Sequence, residues 1–457
     1  MGARFRYLVY LVRSSFWFLP GTLLLGAVGL SFLTVAADES VLGTWLRGTD
    51  WLFHFEERGA RTILSTIAGS MITVTSLVYS LMLVAMTLAS GQLGPRLLTM
   101  FMRDRLNQMV LGLFLATFVF SLMVLTTIGP AEDGGAVFIP SISVLAALLL
   151  SLSCCFLLVF FIHHVADGIQ ADAIIADVGI GLDAEIDSLF PPDSREARDD
   201  RDADRGGDAA APPEGDEGRE IAVRQSGYLQ TVDYPALAEL CEDHDAWLAL
   251  EAKPGDFLVA GHRIGLVRPS GRRDEAFDDA VRGALVTGPK RTPAQDLGFR
   301  VHALVEVALR ALSPGINDTR TAIACVDRLT ASLARMMDHR AFRLIPEETG
   351  GNARLTASHL EFEDICDIAF DEIRQSARSH PVVIFRQIDS LVVLAAQAGA
   401  EGHRAVILKH GKIMERLCKA VLDEPVDRET ARKKLKRLWQ ALAGEEAPAV
   451  LVDKTEA

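Results

Sequence analysis

Four stretches near the start of the chain contain no charged side chain: Phe16 to Ala36, Thr62 to Pro95, Met109 to Ile128 and Ile139 to Ile162. Each is close to twenty residues or longer. At a rise of about 1.5 Å per residue, that length crosses a hydrocarbon core of roughly 30 Å as a helix. The pattern predicts four membrane spans. The first stretch follows Arg4, Arg6 and Arg13 and precedes the small residues Val35-Ala36-Ala37, as a secretory signal would. It exceeds the usual signal core of about 7–15 residues, which favours an uncleaved anchor.

The second stretch is not uniformly apolar. Thr66, Ser70, Thr73, Ser76 and Ser80 follow one another at steps of four, three, three and four, which places five hydroxyls on one stripe of a helix. Beyond the fourth stretch, Val165, Ile169, Ile174, Val178, Leu182 and Ile186 keep a helical period, as if that span ran on until Pro191-Pro192 stops it. Alternation then returns. Gly227 to Val232, Trp247 to Leu250, Phe257 to Ala260 and Ile264 to Val267 have strand character, with Lys253-Pro254-Gly255-Asp256 as a turn. These strands are shaped like those of biotinyl or lipoyl carriers, but no Met-Lys-Met hairpin is present, which excludes that role.

From Thr292 the period is helical to the end. Thr292-Pro293-Ala294-Gln295 reads as a capping box opening a helix that runs to Leu312. Ser313-Pro314-Gly315 breaks it, and Asn317 or Asp318 can cap a helix from Thr319 to about Met337. Further helices are predicted over His359 to Ala377, Val382 to Ala398, His403 to Val421 and Arg428 to Ala443.

Charge sets the domain borders and the orientation. Between Pro191 and Glu220 stand eleven acidic residues against five arginines with almost no large apolar side chain, the composition of a disordered tether. That segment supplies much of the net charge of −14, which therefore says little about the folded parts. The expected fold is a membrane all-α part of four transmembrane helices plus a cytoplasmic α+β domain. By residue number this means a transmembrane domain over 1–164, a helical extension over 165–190, the acidic linker over 191–220, a β-rich subdomain over 221–291 and a helical subdomain over 292–457. Arg4, Arg6, Arg13, Arg96, Arg103 and Arg105 flank one side of the spans, while Arg47, Arg58 and Arg61 flank the other among many acids. The excess of arginine on the first side places both termini in the cytoplasm of a bacterial inner membrane.

Several separated segments carry a resemblance. Thr75-Ser76-Leu77-Val78-Tyr79-Ser80, Ala89-Ser90-Gly91-Gln92-Leu93-Gly94-Pro95-Arg96-Leu97-Leu98, Asp104-Arg105-Leu106-Asn107-Gln108 with Leu111-Gly112, and Ala311-Leu312-Ser313-Pro314-Gly315-Ile316-Asn317-Asp318 resemble the marker segments of domain of unknown function family 2254. This is a group of predicted bacterial membrane proteins. The resemblance implies a four-span N-terminal half and a cytoplasmic C-terminal half, and it brings no activity.

Three groups of residues invite a functional reading. The five hydroxyls can bond to backbone carbonyls or glue helices together, or they can wet a path where copies of the second span meet. Arg96, Arg103 and Arg105 anchor the inner end of that span or ring an inner mouth, with Asp104 as an ion pair between them. Ser313, Gly315, Asn317 and Asp318 form a capped turn, or with Asp296 a ligand loop whose N–H groups suit an anion or whose oxygens suit a cation.

Enzyme signals are weak. No phosphate loop, zinc-protease helix or nucleophile elbow is found, and the six cysteines include no Cys-x-x-Cys, so they read as buried thiols in a reducing compartment. No enzyme activity, cofactor or metal is expected. Arg428, Arg432, Lys433, Lys434, Lys436 and Arg437 make a solvated face or a contact with anionic lipid, and without interleaved aromatics beyond Trp439 they do not suit nucleic acid.

The favoured reading is a homo-oligomeric, channel-like conduit in the lipid bilayer with a cytoplasmic assembly or regulatory domain. The alternatives are a non-conducting sensor or scaffold and, third, a membrane-tethered enzyme.

Overall fold

The computed structural model describes residues 16–39, 56–93, 104–129, 138–168, 170–189, 218–269, 275–338 and 354–443. The chain divides into two units at Gln170 and Ala171.

The first unit contains four helices long and apolar enough to cross a membrane: α1 (Phe18–Glu39), α2 (Glu57–Leu93), α3 (Arg105–Thr127) and α4 (Ser141–Gly168). They contain the four charge-free stretches, with ends shifted by a few residues. Helix α3 touches the other three and is the most enclosed. Its Val110, Phe114, Phe120 and Val124 pack among Leu64, Met71 and Val78 of α2 and Val144, Ala147 and Phe161 of α4. Gly112 allows a close approach of α1, since a Cβ there would lie 2.9 Å from the Pro20 Cα. The opposite faces stay apolar and open, with Leu25, Leu33, Phe156 and Val159 each about seven-tenths exposed, as helices bathed in lipid require.

Charged side chains at the helix ends are spent on backbone. Asp38 of α1 is buried and accepts from the Ile142 and Ser143 N–H groups and the Ser143 hydroxyl at 2.8–3.0 Å, so α1 caps the first turn of α4. Arg61 of α2 donates to the Ile128 carbonyl at 2.5 Å, the C-terminal end of α3. Five of the six cysteines are buried. Cys155 departs from the sequence reading and lies exposed on α4.

In the second unit α5 (Ala171–Leu189) falls within the expected helical stretch over 165–190, and its Ile175, Val178, Leu182 and Ile186 are buried between two later helices. The strands are β1 (Arg219–Ala222), β2 (Gly227–Val232), β3 (Trp247–Leu250), β4 (Phe257–Leu258), β5 (Arg263–Arg268), β6 (Leu285–Gly288) and β7 (Leu355–Ala357). They form a four-stranded sheet in the order β1-β5-β3-β7 and a three-stranded sheet in the order β4-β2-β6. Helices α6 (Tyr234–Asp243) and α7 (Glu275–Gly283) complete a core around Leu229, Leu237, Leu248, Ile264 and Val281. Strand β7 pairs in parallel with β3, Leu248 opposite Leu355, and so adds a strand from beyond residue 291 to the sheet.

The helical part comprises α8 (Leu297–Ala311), α9 (Thr319–Met337), α10 (Phe362–Ser376), α11 (Pro381–Gln397), α12 (Glu401–Val421) and α13 (Pro425–Ala443). The capping box at Thr292 does not form. Asp296 caps α8, and Gln295, at φ +64°, turns its amide onto the Val232 backbone, accepting at 2.8 Å and donating at 3.2 Å. The end of β2 thus captures the side chain that the box required.

Candidate functional site

All five hydroxyl positions of the stripe, Thr66, Ser70, Thr73, Ser76 and Ser80, are exposed on the first unit. Thr62, Ser65, Gly69 and Thr87 extend the same polar or small face. The reverse side of α2 carries Leu64, Ile67, Met71, Val78, Met82 and Ala85, which are buried against α3 and α4. One helix therefore buries one apolar stripe in its own subunit and turns all five hydroxyls away from it, on an outward surface they share with the exposed Leu77, Val84 and Leu88. In a membrane helix this face meets lipid, another protein surface or a wetted path. Thr73 and Ser76 donate to the Gly69 and Ile72 carbonyls at 2.9 and 3.0 Å, while among the described residues Thr66, Ser70 and Ser80 have no hydrogen-bond partner.

Of the inner-mouth residues, Arg96 and Arg103 lie outside the described residues. Arg105 is exposed at the start of α3. Asp104 makes no ion pair with Arg105 among the described residues. It caps α3 through the Leu106 N–H at 2.9 Å and holds His164 of α4 at 2.6 Å, with the His164 ring stacked on Phe160. A short side chain that caps a helix points along its axis, and among the described residues α4 supplies its partner there.

A family model described as "Predicted membrane protein (DUF2254)" matches residues 13–392. The chain belongs to this family. Uncharacterized proteins of Mycobacterium bovis and Mycobacterium tuberculosis are each 30% identical to it over 364 residues, covering 78% of this chain and 67% of theirs. No solved structure matches it. In this DUF2254 member the matched residues take in all four apolar helices and most of α11, and they stop short of α12 and α13.

The ligand loop is not assembled as the sequence suggested. Asp296 starts α8 and Ser313 to Asp318 follow its end, so fifteen helical residues, about 22 Å, separate them. Asp296 is buried, binds Arg291 through both oxygens at 2.8 and 2.9 Å, and accepts from the Phe299 N–H. Asp318 caps α9, taking the Arg320 and Thr321 N–H groups and the Thr321 hydroxyl. The Thr321 hydroxyl, with these N–H groups, holds its carboxyl below the ordinary value. The Ser313 hydroxyl donates to the Arg310 carbonyl, and the Ile316, Asn317 and Asp318 N–H groups turn back onto Ser313 and Ala311. Asn317 sits at φ +53°, and Gly315 is exposed at the tip. The Ile316, Asn317, Asp318, Arg320 and Thr321 donors that would greet an anion are thus spent within the turn and its cap. Among the described residues no three His, Cys, Asp or Glu side chains converge as a metal site requires.

Sequence reasoning missed a second cluster. Helix α5 is clamped by ion pairs: Asp183 with Arg328 and Ser332, and Asp187 with Arg335, both on α9, and Glu185 with Arg300 of α8 at 3.0 Å. The arginines cross α5 at its glycines. A Cβ at Gly179 would overlap Arg328, and one at Gly181 would overlap Arg300. Burial pushes the Glu185 carboxyl up to about 7 against the pull of Arg300, and its second oxygen is buried without a hydrogen bond. The paired glycines were the available signal, since nothing in an apolar period asks for them.

Proposed function

We propose that this DUF2254 member is a homo-oligomeric, channel-like conduit of the bacterial inner membrane, with copies of α2 around a common axis and the second unit in the cytoplasm as its assembly or regulatory part. One observation carries the proposal. All five hydroxyls of the α2 stripe point away from their own subunit, together with Leu77, Val84 and Leu88, while Leu64, Ile67, Met71, Val78 and Met82 are buried inside it. Facing lipid, that surface would waste its hydroxyls. Around an axis, three of them with no hydrogen-bond partner among the described residues offer water an uncharged, hydrogen-bonding wall. The topology follows from the arginine excess on one side of the spans. The clamp on α5 supports a regulatory role, because α5 is the first described helix after α4 and is held by ion pairs with two later helices.

A second reading, a non-conducting anchor for a sensor or scaffold, is favoured by the carbonyl bonds of Thr73 and Ser76, which make a smooth small-residue face suited to helix packing. Planar-bilayer recording on purified protein, with its subunit count by mass, separates the two. Discrete currents from an oligomer support the conduit. An oligomer that stays silent across ion types and voltages supports the anchor.

A further inference from the structure

Between α12 and α13 lies an open groove of about 880 Å³. Cys418 and Leu422 of α12 and Ala431, Leu435 and Trp439 of α13 make its apolar floor. Its rim is basic, with Lys419, Arg428, Arg432 and Lys436 against Glu415 alone, a net positive site on a chain of net charge −14. Local acids reach part of this charge. Lys419 meets Glu415 at 2.7 Å, Arg432 meets Glu429 at 3.1 Å and Arg428 meets Asp423 at 3.9 Å, whereas Lys436 has no partner among the described residues. The six cations of the last helix therefore do not form one face, since Lys434 is tied to Asp389 of α11 and Arg428, Arg432 and Lys436 line the groove. The groove also lies beyond the residues shared with the family model.

We propose that the groove is a docking site for the chain's own residues 444–457, which lie outside the described residues. The segment leaves α13 at Ala443, itself a lining residue at one end of the groove, and Arg428 lines the other end. From Arg428 to Ala443 the helix rises about 22 Å, the length of roughly seven residues of extended chain. Gly444 permits a sharp reversal and Pro448 bars further helix. Seven extended residues from Glu446 reach Val452. Laid in that direction, the tail would bring Glu445 and Glu446 first, at the Ala443 end, then Val450-Leu451-Val452 level with Ala431, and Asp453 level with Arg428. The segment holds four acids and one lysine, the complement of the lining charge, and its apolar run matches the floor. Because the tail is covalently attached, its effective concentration at the groove is in the millimolar range, so a weak fit is occupied.

Site-directed crosslinking in the full-length protein tests this. In a Cys418→Ser background, Arg428→Cys and Val452→Cys are oxidised and the product is read by peptide mass mapping. A disulfide within one chain that falls at least fivefold when Arg432 and Lys436 are both changed to glutamate is the expected result. Failure to form, equal formation after charge reversal, or a bond found only between chains would overturn the proposal. So would loss of the crosslink on adding phosphatidylglycerol vesicles but not phosphatidylcholine vesicles, which would assign the groove to anionic lipid. As a second measurement, a labelled peptide of residues 444–457 should bind protein ending at Ala443 and be refused by the full chain. Binding to neither, or to both alike, would also contradict it.

Discussion

Glu185 sets a pH dependence that can be predicted in sign. Burial raises its carboxyl from an ordinary value near 4.5 to about 7, so between those values the folded chain holds a proton that the unfolded chain has released. Its contribution to stability is full below about pH 4.5 and is given up as pH rises through about 7, by a total on the order of 3 kcal/mol. Glu185→Gln should flatten that part of the profile of melting temperature against pH, and an unchanged slope would place the titration elsewhere. Asp318 works in the opposite direction. Its depressed carboxyl stabilises above its unfolded value, near 3.8, and that contribution is lost as pH falls through the lower folded value. Removing the cap by Asp318→Ala should cost about 1 kcal/mol in urea unfolding at neutral pH.

At the scale of elements, legibility followed the range of the interaction. The four apolar helices, β2, β3, β5 and the helices from α9 onward were readable because their apolar period is local and strong. Strand β7 was not readable. It has three residues and owes its existence to β3, more than a hundred positions earlier. The start of α8 was misplaced because Gln295 serves the backbone of β2, a demand invisible at Thr292 to Gln295. The stripe of α2 was legible as a stripe, whereas its exposure depended on which face α3 and α4 claim. The cap that α1 places on α4 is likewise a product of packing. Asp38→Ala leaves a buried and a half-buried N–H group and a buried hydroxyl without their acceptor, so the detergent-solubilised protein should lose about 2 kcal/mol of stability, with partial recovery in Asp38→Asn, measured by thermal unfolding.

For the whole molecule, the arginine distribution predicts that reporter fusions after Gly134 are active only in the periplasm and fusions after Gly91 or at Ala457 only in the cytoplasm. A periplasmic signal at Ala457 would reverse the topology. The hydroxyl face is the feature on which the proposed conduit stands, and its surroundings can be measured directly. Single cysteines at Thr66, Ser70, Thr73, Ser76 and Ser80, in protein otherwise free of accessible thiols, should react with membrane-impermeant, water-soluble thiol reagents, because the thiolate forms only where water reaches it. Cysteines at Leu64, Met71 and Met82, buried in the subunit, should remain unmodified. If the five positions of the stripe are as inert as those three, water does not line α2, and the account of this protein as a conduit is contradicted.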